Sequence, residues 1–158
     1  VDIDRFKDQH TQIFDAIAQL RRHAQAGIAE HADDIARLIV SMSAVIKLHL
    51  AAEDRTLYPA LEAAGNRQLA HLGRQFQSEM ASIAGAYNAF ARRWNTAAQV
   101  RADPDGFRAQ ANQVLRSVFE RMQREGRDFY PAVERNLATP AYVLPASARG
   151  AQPRPSGR

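Results

Sequence analysis

The sequence predicts an all-α protein, an up-down-up-down four-helix bundle, and three observations predict it. Alanine supplies 30 of the 158 residues, and it is the strongest helix former. Glycine and proline are sparse before residue 138. Apolar residues recur at steps of three and four, the period of one helix face, rather than alternating as in a half-buried strand. A chain of this length makes one domain with a substantial single core.

Ile3, Phe6, His10, Ile13, Ile17 and Leu20 form the inward stripe of the first helix, which ends at Gly27. The second starts near Asp33, runs through Ile35, Leu38, Met42, Val45, His49, Glu53 and Leu57, and stops at Gly65-Asn66. Leu69, Leu72, Phe76, Met80, Ile83, Tyr87, Phe90 and Trp94 mark the third. The fourth opens at Asp103-Pro104, an N-cap followed by proline at the first helical position. It continues through Phe107, Ala111, Val114, Val118, Arg121, Glu125 and Phe129. Long amphipathic segments joined by short connections become antiparallel neighbours. From Ala138 the period gives way to four prolines, two glycines and three arginines. The sequence therefore predicts a bundle over residues 1–137 and a disordered tail over 138–158.

The formal charge of +4 and a pI near 10.0 first suggest a polyanionic partner. Arg149, Arg154 and Arg158 lie in the tail, however, which leaves 18 basic against 17 acidic groups in residues 1–137. Neither nucleic acid nor a membrane surface is the expected partner of so balanced a body. No cysteine is present, which excludes disulfides, thiolate metal sites and cysteine nucleophiles. No uninterrupted apolar run approaches the about 20 residues of a membrane span. The first residues lack the pattern of a signal peptide, so a soluble, cytoplasmic protein is expected.

An internal repeat locates the chemistry. His49 to Glu62 aligns with Arg121 to Glu134 at an offset of 72, with six of fourteen positions identical, including Glu53 with Glu125, Tyr58 with Tyr130 and Pro59 with Pro131. The first and third helices align more weakly at an offset of 70, pairing Phe6 with Phe76, His10 with Met80 and Ile13 with Ile83. Two copies of a helical hairpin about a pseudo-two-fold axis follow. Pro59 and Pro131, inside helical patterns, are expected to kink or interrupt their helices at equivalent places.

Each copy sets one first-helix residue and an i, i+4 pair on its inward stripes: His10, His49 and Glu53 in one, Met80, Arg121 and Glu125 in the other. Burying a carboxylate costs several kcal/mol, of order ~5, unless a cation or strong donors compensate it. Two carboxylates and two imidazoles aimed at one volume suit a divalent metal held between facing helices. A lone inward histidine is more often a satisfied core residue, so the weight rests on the His49/Glu53 pair and its Tyr-Pro sequel. His23, His31 and His71 fall off the stripes or near helix ends and are read as solvated. Arg92-Arg93-Trp94 is read as a core tryptophan flanked by solvated arginines, and Gly85 and Gly126 as marks of close packing or local weakness.

His10, His49-x-x-x-Glu53 with Leu57-Tyr58-Pro59, and Glu125 with Phe129-Tyr130-Pro131 resemble the hemerythrin-like, or HHE cation-binding, family over residues 3–137. The resemblance implies a four-helix bundle around a non-haem di-iron centre, in proteins that bind dioxygen or sense or handle oxygen, nitric oxide or iron. It also implies terminal histidines from each half and two bridging carboxylates. Here the second half departs from the pattern, with Met80 and Arg121 where histidines belong and Phe76 one turn before Met80. An ordinary di-iron site is therefore not supported.

Two readings stay open. In one, a single metal is held by His10, His49, Glu53 and Glu125, non-haem iron or else manganese or zinc, while the Arg121 guanidinium fills the vacated site and donates to the carboxylates. In the other, no metal binds and Arg121 alone neutralises the glutamates. Functionally, the first is a non-catalytic module for a small diatomic ligand such as dioxygen or nitric oxide. The second is a regulatory bundle with a protein partner or a homodimer. No base, nucleophile or substrate motif argues for an enzyme.

Overall fold

The computed structural model describes residues 1–137, so the tail predicted over 138–158 lies outside the described residues. Every regular element in the described part is helical. In chain order they are α1 (Ile3–Ala26), α2 (Ala32–Ala52), α3 (Tyr58–Ala63), α4 (Arg67–Trp94), α5 (Ala97–Ala102), α6 (Pro104–Arg124) and α7 (Tyr130–Leu137). Helix α1 packs mainly on α2 and α4 on α6, and α2 also meets α4 while α1 meets α6.

The helix boundaries follow local chemistry. Asp2, Asn66, Thr96 and Asp103 each accept a backbone N–H three residues on, from Arg5, Leu69, Gln99 and Gly106, which satisfies donors that a helix start leaves orphaned. Gly27 ends α1 at φ 129°, a conformation that strains a side-chain-bearing residue. The short α5 was not expected from the sequence. Val100 is its only buried residue, and one apolar anchor carries no period.

Both proline-marked interruptions are present, and each is a single widened π turn. Glu53–Leu57 separates α2 from α3, and Glu125–Phe129 separates α6 from α7. The Tyr58 N–H donates to the Glu53 carbonyl and the Tyr130 N–H to the Glu125 carbonyl, five residues back in each case. Proline has no N–H to give and its ring crowds the carbonyl four residues earlier. Inserting one residue into the turn relieves both problems without breaking the rod. In a regular α-helix residues five apart lie on different faces, but the wide turn puts Glu53 and Tyr58, and likewise Glu125 and Tyr130, on the buried side.

Two apolar clusters flank these turns. The larger runs from Ile13 to Leu20 across α2, α4 and α6, and the smaller joins Ile3, Phe6, Leu57, Phe76, Phe129 and Val133. Trp94 is buried and donates its indole N–H to Gln110 Oε1 at 2.8 Å, with the Arg93 guanidinium 4.5 Å from its ring. That is the core role expected of it. Gly85 and Gly126 do not mark close packing, because a Cβ at either would meet nothing within 4 Å.

By length and composition the continuous helix Ala32–Ala63 could cross a membrane, with a mean hydropathy of 1.6 over its most apolar window. Its apolarity comes from residues on every side, including exposed Val40 and Leu48, so a search for uninterrupted runs passes over it. The same helix carries His49 and Glu53 into the protein interior.

Candidate metal centre

The centre lies between the two apolar clusters, where α1, α2 and the two π turns meet. His10, His49, Glu53, Arg121 and Glu125 are all buried, with His49, Glu53 and Glu125 at 0% exposure. His10 Nε2 lies 3.2 Å from His49 Nε2 and 3.0 Å from Glu125 Oε2, and His49 Nε2 is 3.9 Å from the same oxygen. Ligands about 2.0–2.2 Å from a metal such as zinc stand roughly 3 Å apart. These three atoms are thus spaced like one face of a coordination polyhedron. His10, His49 and Glu125 form a group able to hold an ion.

Glu53 stands beside that group. Its Oε1 is 3.5 Å from His49 Nε2 and accepts from the Tyr130 hydroxyl at 2.9 Å, while Oε2 accepts from Tyr58 at 3.4 Å. The Tyr130 oxygen is also 3.1 Å from His10 Nε2. On the other side of His49, Nδ1 pairs with Gln9 Oε1 at 3.0 Å. An amide oxygen requires a proton on Nδ1, and this leaves the Nε2 lone pair free to bind a cation, as an outer partner of a ligating histidine does. Gln9, Tyr58 and Tyr130 are the supporting residues that sequence reasoning missed. Gln9 had a signal, since it sits three residues after Phe6 on the inward side of α1. The repeat and its Tyr-Pro sequel singled out the tyrosines but not their role, because the wide turns that aim them at Glu53 had to be known first.

Among the described residues, Glu125 Oε2 is the buried side-chain polar atom without a hydrogen-bond partner. The His10 ring nitrogen is close but poorly aligned with it. An unpartnered carboxylate oxygen facing two imidazole nitrogens is what a cation would satisfy. With imidazole and carboxylate donors and no thiolate, the residues fit iron, manganese or zinc.

Arg121 pairs with the other oxygen of Glu125. Its Nε donates to Glu125 Oε1 at 2.5 Å, Nη2 to the Phe76 carbonyl at 2.6 Å and Nη1 to Glu79 Oε2 at 3.4 Å, with the guanidinium 4.5 Å from the Phe76 ring. Arg124 also pairs with Glu79. Arg121 was expected to donate to both carboxylates, but it reaches only Glu125. The two phenols already hold Glu53. Met80 is buried and, with Leu50, Glu53 and Tyr58, lines a depression of about 230 Å³ between α2 and α4.

The two carboxylates titrate in opposite directions. Burial pushes Glu53 up from its ordinary 4.5 to about 7, with the Glu125 charge adding to the rise. Burial acts on Glu125 too, but the His10 and His49 rings, when they carry a proton on Nε2, and the Arg121 guanidinium outweigh it and hold that group well below the usual carboxylate range. Burial and then the neighbouring glutamates push both phenols far up, so Tyr58 and Tyr130 remain donors.

A stability profile follows for the metal-free protein. The Glu53 contribution is fully present below 4.5 and is lost as pH rises through about 7, because the fold favours its neutral form. The Glu125 contribution has the opposite sign, present above 4.5 and lost as pH falls through its lower folded value. Chemical denaturation at a series of pH values should show stability declining between pH 4.5 and about 7, and Glu53→Gln, which stays neutral, should flatten that decline. An unchanged slope in the variant would assign the decline to other groups.

The family model described as the hemerythrin HHE cation binding domain matches residues 1–133. The chain belongs to this family. No curated protein and no solved structure matches it. Within the hemerythrin family pattern, the first half of this domain keeps its histidines, His10 and His49, and the second half presents Met80 and Arg121. His71 is exposed as expected, whereas His23 and His31 are half-buried neighbours at the far end of α1.

Proposed function

We propose that this hemerythrin-like domain is a non-catalytic metal-binding module that holds one non-haem iron through His10, His49, Glu53 and Glu125 and acts in sensing or handling oxygen, nitric oxide or iron. The observation that carries the proposal is the convergence of two imidazole nitrogens on the unpartnered Glu125 oxygen. Manganese or zinc suits the same donors. We further read the helices as an up-down-up-down four-helix bundle of two repeated hairpins, a reading supported by the pairing of α1 with α2 and of α4 with α6.

Iron bound by such donors supplies a coordination position for a diatomic ligand. The protein residues around it have separable tasks. Gln9 fixes the His49 ring, Tyr130 and Tyr58 hold Glu53 in place, and Arg121 neutralises Glu125 on the side away from the histidines. Phe6 covers the centre edge-on to His49, with ring centroids 5.7 Å apart, and helps to exclude water. The depression lined by Met80 and Glu53 offers a small molecule an approach from solvent.

The Arg121–Glu125 ion pair favours a second reading, a metal-free regulatory or protein-interaction bundle whose buried charge the arginine alone balances. Titration of untagged, metal-free protein with ferrous iron, followed by oxygen or nitric oxide, separates the two. The expected result is an absorption change that saturates near one iron per chain. Spectral silence in excess iron, with no metal retained, would establish the metal-free reading.

A further inference from the structure

We infer that the α1–α2 connection carries a second cation site, formed by His23, His31 and Asp34, that takes a borderline divalent transition cation such as zinc. One ligand atom from each of the three residues falls within 4.8 Å of the others. The imidazole rings lie 5.3 Å apart at 39°, and His31 Nδ1 is 3.8 Å from Asp34 Oδ2. Two imidazoles and a carboxylate form an open three-ligand set that zinc, copper or nickel prefers over magnesium or calcium, which take oxygen donors.

The backbone holds the set together. The Gly27 N–H donates to the His23 carbonyl at 3.1 Å, and the His31 N–H donates to the Gly27 carbonyl at 3.0 Å. One glycine turn thus links the two histidine positions directly. His31 occupies the N-cap of α2, yet its side chain makes no capping bond, so the ring is not committed to the helix. Asp33 is engaged by Arg101 at 2.6 Å, whereas Asp34 makes no contact with an arginine or lysine among the described residues. Side-chain exposures of 36% for His31 and 50% for Asp34 give water access and allow the sub-ångström to ångström rotations that would draw the donors to about 3.3 Å separations around a tetrahedral ion.

This site is independent of the buried centre. His23 lies thirteen positions after His10 on α1, on the order of 20 Å along the helix. A cation here would clip the end of α1 to the start of α2, and it could load and leave without opening the core.

The test is isothermal titration of the untagged full chain with zinc alone, in the parent protein and in His49→Ala. His23→Gln and His31→Asn are introduced together into each, asparagine being a good N-cap that keeps α2 capped. The paired substitutions are expected to weaken one binding step at least ~10-fold in both backgrounds, and His49→Ala is expected to leave that step in place. Circular dichroism checks folding. Zinc isotherms that the paired substitutions leave unchanged in both backgrounds would overturn the site. Should His49→Ala fail to fold, the parent comparison decides alone, because His23 and His31 lie outside the apolar core clusters.

Discussion

Replacing Arg121 by methionine is expected to destabilise the metal-free protein by about 3–5 kcal/mol, the usual effect of removing one partner from a buried ion pair. Arg121 is 3% exposed and engages each of its three nitrogens, one on Glu125, one on the Phe76 carbonyl and one on Glu79. Methionine fills a similar volume but leaves the buried Glu125 carboxylate without its charged donor and removes the second bond on the Phe76 carbonyl. Lysine would not substitute well, because its three donors radiate from one nitrogen, whereas the guanidinium reaches the three acceptors from three separate nitrogens. Urea denaturation of chelator-treated protein measures the effect. A loss under ~1 kcal/mol would place the pair among those that contribute little. Arg121→His examines the same position from the metal side. It returns a ligand to the second half and is expected to raise iron content above that of the parent, and unfolding with no gain in metal would leave Arg121 as a counter-charge alone.

Replacing His49 by alanine is expected to reduce bound iron from near one per chain to near zero after purification without an affinity tag. His49 is the hub of the centre, since its Nε2 faces His10, Glu53 and Glu125 while Nδ1 is tied to Gln9. Loss of an outer partner of a ligating histidine costs about 10–100-fold in affinity. Gln9→Ala should fall in that range, and loss of the ligand itself should exceed it. Elemental analysis of parent, Gln9→Ala and His49→Ala proteins gives the ordering. Equal metal in parent and His49→Ala would remove the buried centre as the binding site.

Much of this molecule was legible in its sequence because helices report themselves locally. The steps of three and four place the long helices within a few residues, Asp103-Pro104 marks the start of α6, and the 72-residue offset pairs Glu53 with Glu125. His10 and His49 lie on those stripes, and the structure places them 3.2 Å apart. Val100 alone anchors α5, and a six-residue helix with one buried side chain has too few positions to show a period.

The sequence by itself determined the helical class, the inward faces and the residue types available to a metal, with thiolates excluded and the second half's histidines replaced by Met80 and Arg121. Only the tertiary structure decided how those residues divide the site. It gave Arg121 to Glu125 rather than to Glu53, gave Glu53 to Tyr58 and Tyr130, left one Glu125 oxygen facing both imidazoles, and brought His23 against His31. For the partners of the two glutamates the physical reason is the π turn that accompanies Pro59 and Pro131. A one-residue widening rotates every side chain after it, so residues five apart share a face that α-helical spacing assigns to different sides. Contacts between helices then depend on that rotation, which periodicity along one helix does not encode.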